Sequence, residues 1–182
     1  MDRNWLLITI STPGGSSTLR VWAWRRLRAL GAHYLQQSVC LLPATAETRR
    51  AVNRVVARLA EEGGQGRALE IALVGAEQEA AVIEAFQGER SDEYGEVVER
   101  TGEFHGELAK ELGRGRATYT ELEESDADLA RLKRWLAAIE ARDYFDAPGR
   151  GEAEVAVERC EQALAEFESE AINSEIGTGR DE

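Results

Sequence analysis

Cysteine is nearly missing from this chain. The two that occur, Cys40 and Cys160, lie far apart and in no metal-ligand spacing, which argues against a disulfide framework or a structural zinc site. Each falls at an apolar position of its element, where a buried free thiol is expected. Histidine is equally scarce, with His33 and His105 alone. The chain contains no Walker loop, no Gly-x-Ser-x-Gly elbow, no zincin motif and no set of residues that reads as a catalytic triad. A non-enzymatic protein with no metal and no cofactor is therefore expected. Long hydrophobic runs are missing too. The apolar run Trp5 to Ile10 is too short for a signal-peptide core or a membrane span, and no other stretch approaches spanning length. The expected location is cytoplasmic, with no membrane partner.

Charge is abundant and unevenly placed. The net charge is -12, yet residues 1–60 hold nine arginines against two acidic residues, about +7. Residues 61–182 hold thirteen basic against thirty-two acidic residues, about -19. Such asymmetry means either that one half meets an anionic partner or that the halves attract each other. The basic half culminates in Leu19–Pro43, which sets four arginines and two tryptophans on one short helix and then breaks at Gly31.

Local patterns alternate between strand and helix over the first 75 residues. Residues 5–10, WLLITI, read as a strand ending at the turn signal Ser11–Gly15. Ser16 or Ser17 can cap a helix that runs to Leu30. His33–Pro43 is either one buried strand or a hairpin turning near Gln36–Ser38. Thr45 caps a second helix on which Val52, Val55, Val56 and Leu59 recur at helical spacing. The Gly63–Gly66 run ends it, and Ala68–Val74 reads as the last strand. A hairpin gives βαββαβ, a ferredoxin-like α+β sheet; a single strand gives βαβαβ with a parallel sheet. The polar Gln36-Gln37-Ser38 fits poorly inside a buried parallel strand and favours the hairpin.

From about Ala76 the chain turns acidic and helical. Tyr94, Val97, Val98, Thr101, Phe104, Leu108 and Leu112 trace one helix face. Ser125 with Asp128 resembles a capping box that opens a helix carrying Leu129, Leu132, Leu136 and Ile139 inward. Ala147-Pro148-Gly149 turns the chain into a last helix with Ala153, Val157, Cys160, Leu164, Phe167 and Ala171 at three-four spacing. The expected organisation is a ferredoxin-like domain at 1–75, an acidic helical bundle at 76–172 and a frayed tail at 173–182.

Scattered motifs carry a resemblance. Trp5-Leu6-Leu7, then Arg20, Trp24, Arg25, Leu27, Leu30, Gly31 and Ala32, then Ser38-Val39 and Leu41-Leu42-Pro43, resemble the N-terminal domain of the bacterial chromate-resistance protein ChrB. Glu89–Tyr94, Thr120–Glu124 and Ala141–Phe145 resemble it too, so the likeness covers about residues 5–170. The first half is also similar to the ferredoxin-like domain of the phenylacetate-responsive repressor PaaX and, more distantly, to the small CRISPR-associated nuclease of that fold. The nuclease carries an aspartate at the end of its first strand, where this chain reads Ile10-Ser11, so metal-dependent nuclease activity is not expected. The winged helix-turn-helix that precedes this domain in PaaX is not expected here, nor is the second ChrB domain associated with chromate sensing expected within this length. What the resemblance implies is a homodimeric regulatory or accessory module, tied to transcription regulation and chromate stress.

The candidate contact residues are Arg20, Trp24, Arg25 and Arg28 on the first helix and Arg50, Arg54 and Arg58 on the second. Arg20, Trp24 and Arg28 form one stripe away from the Leu19–Ala23–Leu30 arc, and the second-helix arginines lie opposite its valine face. Arg26 projects nearer the apolar arc. Two readings stand: an exposed cationic and aromatic surface for DNA or a protein partner, or a tryptophan covered by the bundle with arginines bridging to its carboxylates. Clustered arginine would also suit an oxyanion ligand such as chromate. The rival function is a small-molecule binder or enzyme using a cleft between sheet domain and bundle. His33 reads as a polar strand edge and His105, amid Glu96, Glu99, Glu103 and Glu107, as part of a solvated acidic face. Gly102 and Gly106 either permit close helix packing or merely weaken their helix.

Overall fold

A computed structural model of the chain describes residues 4–12, 17–113 and 118–178. The side chains of Ser16 and Ser17, most of the Ser11–Gly15 turn and residues 179–182 of the expected tail lie outside what is described. The elements in order are β1 (Asn4–Ser11), α1 (Ser17–Ala29), β2 (His33–Gln36), β3 (Val39–Pro43), α2 (Ala46–Glu61), β4 (Gln65–Ala72), α3 (Ala76–Gly113), α4 (Tyr119–Glu140) and α5 (Arg150–Thr178). They form two compact units. One comprises Met1–Gln87 with Arg142–Phe145, the other Gly88–Ala141 with Asp146–Glu182.

The first unit is built on a four-stranded sheet of order β2-β3-β1-β4, every neighbouring pair antiparallel. That order on a βαββαβ chain is the ferredoxin-like arrangement. His33–Pro43 is a hairpin: Tyr34 stands opposite Cys40 and Gln36 opposite Val39, with a bulge between. Eleven residues suffice because β2 is only four residues long. Strand alternation then sorts β1 by face. Leu6 and Ile8 join Leu19, Ala23 and Leu27 of α1 and Val52, Val55 and Leu59 of α2 in one core. Trp5 and Leu7 face the opposite side.

Both helices of this unit end in the same way. After α1, the Ala32 N–H bonds the Leu27 carbonyl at 3.0 Å and the Gly31 N–H bonds Arg28 at 2.8 Å. After α2, Gly64 and Gly63 do the same to Leu59 and Ala60. These paired bonds require a left-handed residue at the turn, supplied by Gly31 (φ 76) and Gly63 (φ 80). At its start, α2 is closed by a capping box in which Thr45 accepts from the Thr48 N–H and the Thr48 hydroxyl accepts from the Thr45 N–H. The last strand begins earlier than the glycine run suggests. Gly66 is paired in β4 opposite Ile10, not in the turn. A Cβ there would stand 3.0 Å from a Leu59 methyl and 3.2 Å from a Val56 methyl, so glycine lets α2 press on the strand. Val74, expected in the strand, lies beyond its end and is exposed.

The second sheet face is not left open. Trp5 and Leu41 are fully covered by Phe86, from the first turns of α3, with Tyr144 and Phe145. The rings meet at tilted or edge-on geometry, Phe86 lying 5.7 Å from Trp5 and 5.4 Å from Phe145. Two hydrogen bonds pin the Tyr144–Phe145 segment. The Tyr144 hydroxyl donates to the Leu30 carbonyl at 2.7 Å, and the Gln87 amide donates to the Phe145 carbonyl at 2.8 Å. His33 starts β2 half-buried, its ring 5.6 Å from Phe86.

The second unit packs residues 88–113 of α3 with α4 and α5. Its core contains Tyr94, Val97, Phe104 and Leu108 of α3, Leu129, Leu132, Leu136 and Ile139 of α4, and Ala153, Val157, Cys160, Leu164 and Phe167 of α5, and Ala171 further along α5 is buried as well. These are the inward positions read from helical spacing. The start of α4 differs from expectation. Thr118 is the N-cap, accepting from the Glu121 N–H, and Ser125 lies inside the helix. The run Tyr119–Glu124 is made of residues that a helix tolerates, and a serine in a helix interior costs too little to stop it. Arg150 ties the helix ends together, 2.9 Å from Glu154 and 3.6 Å from Glu140. Arg90 is a buried charge of the unit, 4 % exposed, with Glu93 at 2.7 Å and Glu89 at 3.4 Å.

Candidate functional site

The sequence-predicted contact residues all sit on the solvent side of α1 and α2. The two helices lie over one sheet face, so burying Leu19, Ala23 and Leu27 and, on α2, Ala51, Val52, Val55 and Leu59 turns the remaining stripes outward. Arg20, Trp24, Arg25, Arg28, Arg50, Arg54 and Arg58 are exposed, and so is Arg26, which had been expected near the apolar arc. Trp24 is 41 % exposed, with the Arg28 guanidinium 5.1 Å from its ring centre.

Arrangement, not exposure alone, distinguishes these arginines. Arg58 forms an ion pair with Glu62 at 2.6 Å and stacks 4.2 Å above Trp22 of α1, joining the two helices. Arg49 is also taken up by the fold. It pairs with Glu70 of β4 at 2.7 and 3.1 Å, and Asn4 donates to the same carboxylate at 2.8 Å. Those bonds hold the Glu70 carboxyl below its ordinary range. Arg20 touches the Thr12 hydroxyl at 3.3 Å. Among the described residues, Arg20, Arg25, Arg26, Arg28, Arg50 and Arg54 have no carboxylate partner. A face with six such guanidiniums and one accessible indole can bind phosphate or carboxylate groups and stack on a flat ring. Trp22 and Arg49 escaped sequence reasoning because their partners, Arg58 and Glu70, come from other elements.

The remaining candidates are built differently. Both cysteines are free and buried. Burial pushes the Cys160 thiol up to about 11 and the Cys40 thiol up to about 12. His105 is not simply part of a solvated acidic face, because its Nε2 lies 3.6 Å from the Cys160 sulfur and it is half-buried. Among the described residues no group of three or more His, Cys, Asp or Glu is placed to hold a metal ion. No described helix is long and apolar enough to cross a membrane. A groove of about 450 Å³ lies within the second unit, between α3 and α4, floored by Phe104, Leu132 and Trp135.

Fold and face together define a class of protein: a ferredoxin-like unit presenting a cationic helical surface, continued into an acidic helical unit. The chain belongs to the family described as Protein ChrB, N-terminal, whose model matches residues 20–177. It is 30% identical over 155 residues to Protein ChrB of Cupriavidus metallidurans, covering 83% of this chain and 43% of that protein. The chain thus spans about two fifths of the length of that relative. No solved structure matches it.

Proposed function

We propose that this chain is a non-enzymatic regulatory module of the ChrB family, linked to chromate resistance, whose α1–α2 face binds the phosphate backbone of DNA. One observation carries the reading: six exposed arginines on two adjacent helices have no carboxylate partner among the described residues. An internal-neutralisation role would consume those charges, as it does Arg49 and Arg58. Backbone contact needs such a stripe and no particular base contacts, while Trp24 offers a stacking surface. The net charge of -12 repels a polyanion at long range, but screening over about 10 Å at 0.1 M salt leaves the local face dominant. The working form is proposed to be a homodimer, as the likeness to the ferredoxin-like domain of PaaX implies.

The test is fluorescence anisotropy of a labelled duplex titrated with the full chain at several salt concentrations. If four to six phosphates are contacted, log K falls against log salt with a slope of about -4 to -5. Absence of binding at low salt would overturn the proposal and favour a small-molecule role.

A further inference from the structure

The groove between α3 and α4 has no part in the DNA reading, and no residue of α1 or α2 lines it. Its volume of about 450 Å³ lies in the range of cavities that take small organic molecules. Two helical stripes build it. Arg100, Phe104, Glu107 and Glu111 of α3 recur at steps of four and three, and Glu121, Glu124, Asp128, Leu132 and Trp135 do so on α4. The floor is apolar. Phe104 and Leu132 belong to the core of this unit, and Trp135 packs against that core half-buried, which leaves part of its indole to the groove.

The carboxylates along the groove are not equivalent. Glu103 is bonded to Arg100 at 2.5 Å, Asp128 to Arg131, and Glu107 to Lys110 at 3.7 Å. Glu111 is engaged as well. Glu121 and Glu124 differ: one turn apart on α4, they have no cationic partner among the described residues. The half-buried Ser125 adds a hydroxyl beside them. Unneutralised charge is thus confined to one end of the α4 wall. From Glu124 to Leu132 is eight residues of helix, about 12 Å.

We infer that this groove binds an amphipathic organic cation, an alkylammonium carrying a flat apolar body. The body lies over Phe104, Leu132 and Trp135, and the ammonium meets Glu121 and Glu124. The two ends make different contributions. Exposed ion pairs gain little in water, so the apolar floor supplies most of the affinity. The two carboxylates supply the choice of sign, because an anion of the same shape meets them without a counter-charge. The inference uses no residue of the DNA-binding face.

Fluorescence titration of the full chain tests it with two matched probes. Dansylcadaverine carries a naphthalene body and a terminal ammonium; dansyl-aminocaproate has the same body and ends in a carboxylate. At low salt the amine should bind with rising, blue-shifted emission, at least about tenfold more tightly than the acid. Glu121→Gln with Glu124→Gln should remove most of that preference with unchanged circular dichroism. Trp135→Leu, which keeps the floor apolar but removes the ring, should weaken both probes alike. No saturable binding of the amine, equal binding of the two probes, or a preference that survives the double glutamine variant would each overturn the inference. A chain that binds the amine but no duplex would uphold it and remove the DNA reading alone.

Discussion

Reversing Arg20, Arg50 and Arg54 to glutamate separates a surface role from a structural one. All three side chains are exposed and, among the described residues, lack a carboxylate partner. Removing them therefore breaks no ion pair, and each change should alter stability by no more than about 0.5 kcal/mol. Binding responds quite differently. Each phosphate contact contributes about 0.9 to the slope of log K against log salt, so three lost contacts flatten it by about 2.7. At 0.1 M salt that is a loss of about 500-fold in affinity, shrinking to about 25-fold at 0.3 M. Repulsion by the new carboxylates can only deepen it. The assay is duplex anisotropy across salt, with a thermal melt of the same samples. Arg49→Glu serves as the contrast: it breaks the bonds to Glu70, so it should lower the melting temperature more than any one of the three. An unchanged salt slope in the triple variant would refute the assignment of the face. A steep drop in its melting temperature would show that these arginines belong to an internal interface.

Two further outcomes test the packing. Gly66→Ala drives a Cβ to 3.0 and 3.2 Å from Leu59 and Val56 and should destabilise the first unit by about 1–3 kcal/mol in urea denaturation. Gly102→Ala, where a Cβ meets nothing within 4 Å, should instead stabilise α3 by about 0.5–1 kcal/mol; a loss there would reveal a close packing partner. The buried thiols make stability fall with alkaline pH. The Cys160 thiol stays protonated in the fold up to about 11, while its ordinary value is 9.0, so between those values the unfolded chain holds fewer protons and folding weakens as pH rises. Cys160→Ala should flatten part of that decline in denaturation curves taken across the window, and an identical decline would sink the argument.

What the sequence showed and what it hid divide along a physical line. Periodicity placed the inward residues of all three helices of the second unit and both helices of the first, because a buried stripe is a local property. Turn chemistry at Gly31 and Gly63 and the cap at Thr45 were equally local. The polar Gln36–Ser38 favoured the hairpin, since a sheet buried on both faces has no place for it, and the β2–β3 pairing shows it. The failures involve contacts between distant positions. No local signal pairs Trp5 with Phe86 and Phe145, His105 with Cys160, or Arg49 with Glu70. Ser125 misled for a related reason. A capping residue marks a helix start only where the preceding residues cannot continue the helix, and Tyr119–Glu124 can.

That hidden closure of the sheet bears directly on where a nucleic acid could bind. Sheet-reading domains of this general shape stack bases on aromatic rings exposed on the strand face. Here the ring on the central strand is Trp5, and it is wholly buried beneath Phe86 and the Tyr144–Phe145 segment. Among the described residues the exposed large apolar side chains on the strands are Leu35 and Leu69, neither of which offers a stacking ring. In the first unit the exposed aromatic among the described residues is Trp24, on the opposite, helical face and beside the guanidinium of Arg28. Most of the positive charge follows the same division: Arg20, Arg25, Arg50 and Arg54 project from the helices, while β4 contributes the exposed Arg67. A polyanion meeting this unit thus finds most of its electrostatic partners and its exposed stacking ring on α1 and α2. Trp24→Ala should therefore weaken single-stranded more than double-stranded DNA, since bases freed from pairing gain about 1–3 kcal/mol each from an aromatic surface.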